Sequence, residues 1–367
     1  MYKKENPKFS KLILRIIYSY YVDLILFINL FFNKKNNILK VFYGGAYSGD
    51  SGGTLVKIKR LNNYFKEKKI GFNILYLLSN SIYHHHFILK NFKKNLPIVH
   101  NQNGVFYSAW YSGDWVKQNR RMFKQLNLAD YVFYQSEFCK FSSDKFLGKR
   151  KNNYEILYNA CDLNKFKPLK KNKKINIKKK IEILMTGTYR SYMLPGLISS
   201  IKSVTLLKKK INVKLNIFGH MDKKLKLTIV DFIKKNELEK NVSIFGPYTQ
   251  SEAPNIYKKN DIYFFMVHNA PCPNALIEAI ASGLPIVYLD SGASKEIVGK
   301  GGIGIKSELS WTKFKNISPK LIYNSIIKIL KNYNYYSKES RKRAIKNHDI
   351  KNWIKRHKDI FTNLIPS

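Results

Sequence analysis

The fold is decided by residues 271–287, which read PCPNALIEAIASGLPIV. This stretch follows a strand-like run at 261–267 and leads into a second one at 285–289, so a loop opens into a helix beside two strand ends. The first backbone N–H groups of such a helix, together with its dipole, form an anion site. Glu278 lies one turn into the helix, where its carboxylate can accept hydrogen bonds from the two hydroxyls of a ribose. The stretch therefore predicts an α/β unit that binds an anionic ligand.

Strands and helices alternate along most of the remaining chain. Glycines follow three of the predicted strands, at Gly187, Gly219 and Gly246. The alternation predicts doubly wound parallel sheets, with ligands at the carboxyl ends of the strands. The predicted strands are residues 39–43, 72–78, 97–100, 131–134 and 154–158, followed by 181–186, 214–218, 242–245, 261–267 and 285–289.

These patterns predict an α/β fold with two doubly wound, Rossmann-like domains that face a cleft, preceded by a basic apolar helix. The final segment reads as basic amphipathic helices that could pack back on the first domain. The expected parts are a helix at 1–38, a first domain at 39–168, a linker at 169–180, a second domain at 181–335 and C-terminal helices at 336–367.

The composition is strongly basic, with 66 Lys and Arg against 24 Asp and Glu and a net charge of +42. This charge favours anionic partners such as nucleic acid, acidic lipid or phosphorylated substrates. A surface shifted toward Lys, Asn and Ile by an AT-rich genome would explain the same charge without a partner. Both explanations stay open.

The cysteine and histidine patterns predict no metal site. Cys139, Cys161 and Cys272 are far apart and odd in number, which indicates a reducing compartment without a disulfide framework. No signal-peptide pattern is evident at the N-terminus. The consecutive histidines at 84–86 cannot all point at one ion, so we interpret them as a polar loop.

The N-terminal segment combines lysines with an apolar run at 12–32. Its length approaches that of a membrane span, but Arg15, Asp23 and Asn29 make insertion costly. A helix lying in the membrane interface, with basic flanks, fits better. The alternative is a helix docked on the protein's own surface.

Three further segments accompany the decisive stretch in a fixed order. They are Ser51-Gly52-Gly53-Thr54 in a glycine-rich loop, Ala129 to Ser136 in a strand that ends in serine, and Tyr158 to Pro168 with its Asn-Ala-Cys-Asp and Phe-Lys-Pro elements. With residues 274–298 they resemble the signatures of the family 4 (group 1) retaining glycosyltransferases. The resemblance runs from about Val41 to the C-terminus.

The resemblance implies the two-domain GT-B fold and sugar transfer from a nucleotide diphosphate donor with retention of configuration. It indicates a bacterial enzyme of surface-polysaccharide or lipopolysaccharide type. The glutamate that matches Glu278 binds the donor ribose in this family. The residues expected to bind the donor are Gly52, Gly53, Gly187, Gly246, Asn274, Ala275, Leu276 and Glu278. Those expected to take part in catalysis are Asp50, His100, Asn103 and Arg190.

We expect no cofactor and no metal beyond the nucleotide sugar itself. The expected partners are a glycan or lipid-linked acceptor and an anionic membrane surface that residues 1–38 contact, without nucleic acid. The expected location is the cytoplasmic face of the cell membrane.

Two departures from the family pattern affect these expectations. Ala270 stands where the family has an acidic residue that contacts the transferred sugar. Either Asn269 or a backbone group takes its place, or the donor preference differs, or the activity is reduced. Thr188 and Met193 stand where the family has an arginine and a lysine, which leaves Arg190 as the nearest basic side chain. A non-catalytic or altered protein that binds sugar or membrane, and a nucleotide-sugar epimerase of the same fold, are therefore alternatives. A nucleic-acid-binding protein is a third, suggested by charge alone and lacking a recognition motif.

Overall fold

The computed structural model describes residues 9–32, 38–50, 52–79, 84–94, 96–169, 175–176 and 178–365, which form two compact units. The N-terminal unit consists of the described parts of Glu5–Tyr107, Tyr111–Tyr158 and Lys351–Ser367. The C-terminal unit consists of Ser108–Trp110 and the described parts of Asn159–Ile350. Ser51, half of the predicted linker, and residues 1–8 and 33–37 of the predicted N-terminal segment lie outside the described residues.

The N-terminal unit is built on a five-stranded parallel sheet with the order β1-β2-β3-β4-β5. Its strands are β1 (Val41–Phe42), β2 (Ile74–Leu78), β3 (Ile98–Gln102), β4 (Tyr131–Tyr134) and β5 (Tyr154–Ile156). Its helices are α1 (Phe9–Phe32), α2 (Gly53–Asn62), α3 (His86–Lys93), α4 (Trp115–Leu128) and α5 (Glu137–Leu147), joined by the last helix of the chain, α13 (Ile350–Leu364).

Helix α13 covers this sheet with aromatic contacts. The ring of His357 lies 4.6 Å from that of Phe133, and its Nε2 lies 3.1 Å from the Tyr76 hydroxyl. Phe361 packs edge-on against Phe65 and Tyr76. Because Tyr76 and Phe361 are fully buried, the chain's last helix completes the core of its first sheet.

Helix α1 docks on the N-terminal unit along one face. Val22 and Leu26 are buried there, and the Asn29 carboxamide bonds both the N–H and the carbonyl of Phe72, at 3.1 and 2.9 Å. Asp23 accepts from His84 Nδ1 at 2.9 Å and from the His85 N–H at 3.0 Å. Of the three polar residues that make membrane insertion costly, Asp23 and Asn29 are therefore satisfied inside the protein, whereas Arg15 is exposed. The interpretation of 84–86 as a polar loop is wrong in part, since His84 is buried and His86 begins α3.

The opposite face of α1 is apolar and exposed. Among the described residues, 13–32 form one segment that is long and apolar enough to cross a membrane, with a mean hydropathy of 1.6. The exposed large side chains of α1 are Ile13, Leu14, Ile16, Ile17, Tyr20, Tyr21, Leu24, Phe27, Phe31 and Phe32. Exposed apolar patches of this kind mark surfaces that meet a partner or a membrane.

The C-terminal unit is built on a six-stranded parallel sheet with the order β11-β10-β9-β6-β7-β8. Its strands are β6 (Ile181–Thr188), β7 (Val213–His220), β8 (Val242–Ile244), β9 (Ile262–Phe265), β10 (Ile286–Asp290) and β11 (Gly302–Lys306). Its helices are α6 (Leu194–Leu207), α7 (Lys223–Lys235), α8 (Ala253–Lys258), α9 (Asn274–Ala281), α10 (Ser294–Val298), α11 (Pro319–Lys331) and α12 (Tyr333–Asn347).

The predicted α/β architecture with two parallel sheets is confirmed, and the strand β11 was not predicted. The change of unit at Asn159 falls inside the predicted first domain, at its last residues. Of the predicted C-terminal helices, α12 lies in the C-terminal unit, whereas the residues from Lys351 onward lie in the N-terminal unit.

Candidate functional site

The start of α9 is open at the carboxyl edge of the six-stranded sheet. Pro273 holds the N-cap position and offers no side-chain acceptor. The N–H groups of Asn274 and Ala275 have no acceptor within the helix, and the positive end of the helix dipole lies there. Asn274 Oδ1 is buried at this end and accepts no hydrogen bond. Leu276 is fully buried, so only its backbone could contact a ligand.

Glu278 lies inside a hydroxyl network that joins α9 to the end of β6. Its side chain is 2% exposed, and Oε2 lies 3.3 Å from the Tyr257 hydroxyl. Thr186 Oγ1 lies 3.0 Å from that hydroxyl and 2.9 Å from the hydroxyl of Tyr263. Burial raises the pKa of both tyrosines, and burial with the charge of Glu278 raises the pKa of Tyr248 to about 12. The hydroxyls therefore stay protonated and can orient the Glu278 carboxylate.

Glycines keep the neighbouring strand ends flat and close. Gly187 and Gly219 are paired across β6 and β7, and the Gly219 N–H donates to the Gly246 carbonyl at 3.0 Å. A Cβ at Gly219 would lie 1.8 Å from the Gly187 carbonyl oxygen, so only glycine fits. Arg190 is exposed two residues beyond β6, on the same edge. Gly187, Arg190, Gly246 and the first turns of α9 thus share the carboxyl edge of one sheet.

The loop before α9 is locked, which limits what can replace the missing acidic residue. Asn269 adopts a left-handed conformation with φ 49°. Its Oδ1 accepts from Ser291 Oγ at 2.8 Å, and its Nδ2 donates to the Ser310 carbonyl at 2.9 Å. The Asn269 carboxamide is therefore engaged within the unit, and the Ala270 carbonyl likewise accepts from the Ala293 N–H at 2.8 Å.

His268 is also held in place beside this loop. Its ring stacks on Phe314 with centroids 4.6 Å apart, and its Nε2 donates to the Lys315 carbonyl at 3.0 Å. Burial lowers the pKa of His268. Its neutral ring therefore supports the loop by packing.

The segment 158–168 packs against α9 and fixes its position. Asn159 Nδ2 donates to the Cys272 carbonyl at 2.9 Å, just before the helix begins. The Phe166 ring meets Tyr257 edge-on at 5.8 Å, and a Cβ at Gly283 would lie 2.7 Å from Pro168. Within the C-terminal unit, this sequence motif therefore supports the helix that carries Glu278.

The glycine loop of the N-terminal unit opens into α2. Gly52 is the N-cap residue with φ 96°, and nothing lies within 4 Å of the Cβ that Gly53 would carry. Asp50 is exposed and pairs with Lys59 at 2.5 Å. Gly52 and Gly53 therefore leave the start of α2 accessible, while Asp50 is already engaged in an ion pair.

The strand that carries His100 is longer than the predicted range of 97–100. Strand β3 continues to Gln102, so His100 is a fully buried strand residue whose Nε2 lies 3.0 Å from Gln102 Oε1. Burial lowers the pKa of His100 to about 4, which keeps the ring neutral. Asn103 does follow the strand, and its N–H donates to Ser79 Oγ at 3.1 Å. Of this pair only Asn103 is partly exposed, and the predicted catalytic roles of both stay predictions.

A buried lysine beside β3 was missed by sequence reasoning. Lys57 is 3% exposed on α2, and its Nζ donates to Asn101 Oδ1 at 2.6 Å. Gln135 Nε2 donates to the same oxygen at 2.7 Å. The sequence offered one signal for this contact, which is a lysine between the apolar residues Val56 and Ile58 of the predicted helix. A lysine buried at such a position needs polar partners.

Over the described residues, no group of three or more His, Cys, Asp or Glu could hold a metal ion.

The comparisons with known proteins agree with this architecture. Residues 167–349 match the sequence model of the family described as glycosyl transferases group 1. The chain is 25% identical over 332 residues to an uncharacterized glycosyltransferase of Methanocaldococcus jannaschii, covering 85% of this chain and 80% of that protein.

Solved structures show the same fold at low sequence identity. Anabaena HepE in complex with UDP and glucose is similar with a TM-score of 0.62 and 14% identity, over 80% of this chain and 79% of HepE. Sucrose-phosphate synthase from Thermosynechococcus elongatus is similar with a TM-score of 0.63 and 13% identity, over 84% of this chain and 76% of the synthase chain. The fold is therefore the GT-B architecture.

Proposed function

The chain belongs to the group 1 glycosyl transferases, and from that premise we propose that it moves a sugar from a nucleotide diphosphate donor to a membrane-linked glycan or lipid acceptor with retention of configuration. Two similar structures support a nucleotide-sugar donor. The first is Anabaena HepE, which was solved with UDP and glucose and with UDP-glucose. The pneumococcal O-GlcNAc transferase GtfA, 12% identical with a TM-score of 0.60, was solved with UDP and GlcNAc.

The observation that carries the proposal is the pairing of Glu278 with the open start of α9. The helix start offers N–H donors and a positive dipole end to a diphosphate. Glu278, one turn further on, offers carboxylate oxygens to ribose hydroxyls. An anion site and a hydroxyl acceptor one helical turn apart match the two polar parts of a nucleoside diphosphate.

The C-terminal unit would hold the leaving group while the acceptor hydroxyl attacks. Negative charge builds on the diphosphate as its bond to the sugar breaks, and the helix start and Arg190 would stabilise it. Retention would follow from attack on the face that the diphosphate leaves. The expected roles of Asp50, Gly52, Gly53, His100 and Asn103 stay predictions about the N-terminal unit.

Helix α1 supports a membrane-bound acceptor. Its apolar face is exposed, and the surrounding sequence is rich in lysine, so the helix suits the interface of an anionic bilayer. Because Asp23 and Asn29 are bonded inside the protein, α1 would lie on the membrane rather than cross it. An enzyme held this way at the inner face of the cell membrane would meet lipid-linked saccharides.

Transfer from labelled donors tests the proposal. Purified protein would be incubated with radiolabelled UDP- and GDP-sugars and lipid-linked saccharides extracted from bacterial membranes. We expect label in the lipid fraction, with the donor's anomeric configuration by NMR. An inverted product would contradict retention, and conversion of the donor without acceptor would favour the epimerase.

An altered, non-catalytic member is the second candidate, because Ala270, Thr188 and Met193 replace residues that the family uses. The same assay separates it from the proposal. Nucleotide binding without transfer to any extracted acceptor would favour this second candidate.

A further inference from the structure

A pocket separates α1 from the sheet of the N-terminal unit. Its volume is about 190 Å³. One wall is α1 at Tyr18, Tyr21 and Ile25, and the other is formed by the β1–α2 loop and by residues that follow α2. The pocket therefore exists only because α1 docks in front of β1.

Aromatic rings line the side of the pocket that faces the loop. Tyr18 and Tyr47 stack with their centroids 5.0 Å apart, and the Tyr18 hydroxyl donates to the Gly45 carbonyl at 3.2 Å. Tyr21 and Tyr47 are 49% and 61% exposed, so part of their ring surface is open to a ligand. Tyrosine combines a flat apolar face with a hydroxyl, which suits a ligand that is apolar on one side and polar at its rim.

Polar side chains converge on the same space from the other wall. Glu67 is only partly exposed, and its Oε1 accepts from the Tyr43 N–H at 3.4 Å. Burial raises the pKa of Glu67, against the lowering effects of that N–H and of Lys69. Asn62 lines the pocket and accepts the Glu67 N–H at 2.7 Å, which holds the two side chains near each other. Carboxylate, carboxamide and ammonium groups around one pocket can satisfy several hydroxyls.

The Glu67 carboxylate disfavours an anionic ligand in this pocket. A phosphate in this pocket would stand beside Glu67 with a single exposed lysine as its cation, and like charges in a partly buried site repel strongly. A neutral ligand rich in hydroxyls has no such cost. The same helix carries the exposed apolar face, so the pocket opens beside the surface that would meet the membrane.

We propose that the pocket between α1 and the β1–α2 loop binds a neutral sugar unit of the acceptor, stacked on Tyr47 and hydrogen-bonded to Glu67. This proposal rests on the proposed function, because it assigns that enzyme's acceptor a binding site. It also gives α1 a second role, since the helix that binds the membrane would form a wall of the acceptor pocket.

Binding of simple glycosides to the full chain tests this assignment. Saturation-transfer NMR would be run with methyl glycosides of glucose, galactose, mannose and N-acetylglucosamine, and with glycerol phosphate as an anionic probe. We expect at least one glycoside to bind in the millimolar range. Glu67→Gln should weaken it at least about tenfold, which is the loss expected for a charge-assisted hydrogen bond. Tyr47→Ala should weaken it roughly three- to tenfold, because the stacking face of the ring is lost.

Tyr20→Ala is the matched control, because Tyr20 is 65% exposed on α1 and does not line the pocket. It should bind the glycoside as the wild type does. The proposal is overturned if no glycoside binds, if Tyr47→Ala and Glu67→Gln bind normally, or if glycerol phosphate displaces the glycoside.

UDP binding is measured on the same samples and keeps the two proposals separate. The pocket variants should retain it, since they lie in the other unit. If the variants lose glycoside binding and no sample binds UDP, the assignment of the pocket to a sugar is kept and the proposed nucleotide donor is refuted.

Discussion

At the scale of single residues, Gly219 shows how closely the strand ends approach each other. Its φ is +129°, and its missing side chain leaves room for the Gly187 carbonyl. Gly246, on the next strand end, has nothing within 4 Å of the position a Cβ would take. Two glycines on one sheet edge therefore have opposite tolerance to substitution.

Gly219→Ala should destabilise the C-terminal unit by about 2–4 kcal/mol, because backbone must move and the conformation is strained. Gly246→Ala should change stability by less than about 0.5 kcal/mol. Urea unfolding followed by circular dichroism measures both. Equal stability of the two variants would show that the strand ends do not approach as described.

The sequence could predict Glu278 but not its surroundings. Glu278 follows a helix start that local pattern identifies. Its contact with Tyr257, and that tyrosine's contact with Thr186, join residues distant in the chain, and local periodicity carries no information about such pairs. The end of β3 was predicted too early for a similar reason, because the polar residues Asn101 and Gln102 read as a loop although the sheet buries them.

At the scale of elements, α1 has one face that packs on the N-terminal unit and one apolar face that is exposed. One face holds buried Val22 and Leu26, and the other exposes side chains such as Ile17, Leu24 and Phe27. The sequence alone left interfacial and docked positions as alternatives. The structure shows the docked face directly, and membrane contact of the other face stays a prediction.

A triple variant in which serine replaces Ile17, Leu24 and Phe27 should bind anionic vesicles at least about a hundredfold more weakly. Its thermal midpoint should be nearly unchanged, because these side chains are exposed. Co-sedimentation with vesicles measures the binding. Leu26→Ala on the docked face is the control, and it should lower stability by about 2–4 kcal/mol. Unchanged vesicle binding of the triple variant would exclude this face as the membrane contact.

The strand β11 was missed because its sequence, Gly302-Ile303-Gly304-Ile305-Lys306, places glycines where a strand rarely has them. The structure explains both. A Cβ at Gly302 would lie 2.2 Å from the Ile286 carbonyl, and one at Gly304 would lie 2.9 Å from the Tyr288 ring. Close approach to β10 selects glycine here, which only the sheet order reveals.

At the scale of the whole molecule, buried histidines make stability depend on pH. Burial lowers the pKa of His100 and His348 to about 4 and that of His357 to about 3. The unfolded value is about 6.5, so the unfolded chain binds more protons between these limits. The stabilisation from these groups is complete above about pH 6.5 and is lost as the pH falls toward 4.

The thermal midpoint should therefore fall as the pH is lowered from 6.5 to 4, measured by scanning fluorimetry at constant ionic strength. His357→Phe should lower the midpoint at neutral pH, because the buried Tyr76 hydroxyl loses its hydrogen bond to this ring, and should flatten the acid dependence. An equally steep dependence in His357→Phe would show that this histidine is not buried in its neutral form.

The central claim is that Glu278 and the start of α9 bind a nucleoside diphosphate, and calorimetric titration of the purified chain with UDP and GDP tests it most directly. The account predicts micromolar binding of one of the two without added metal. Glu278→Gln should weaken it at least about tenfold, while Glu239→Gln, an exposed carboxylate of the same unit, should bind as the wild type does. Absence of binding to both nucleotides, or equal affinity in Glu278→Gln, would contradict the account.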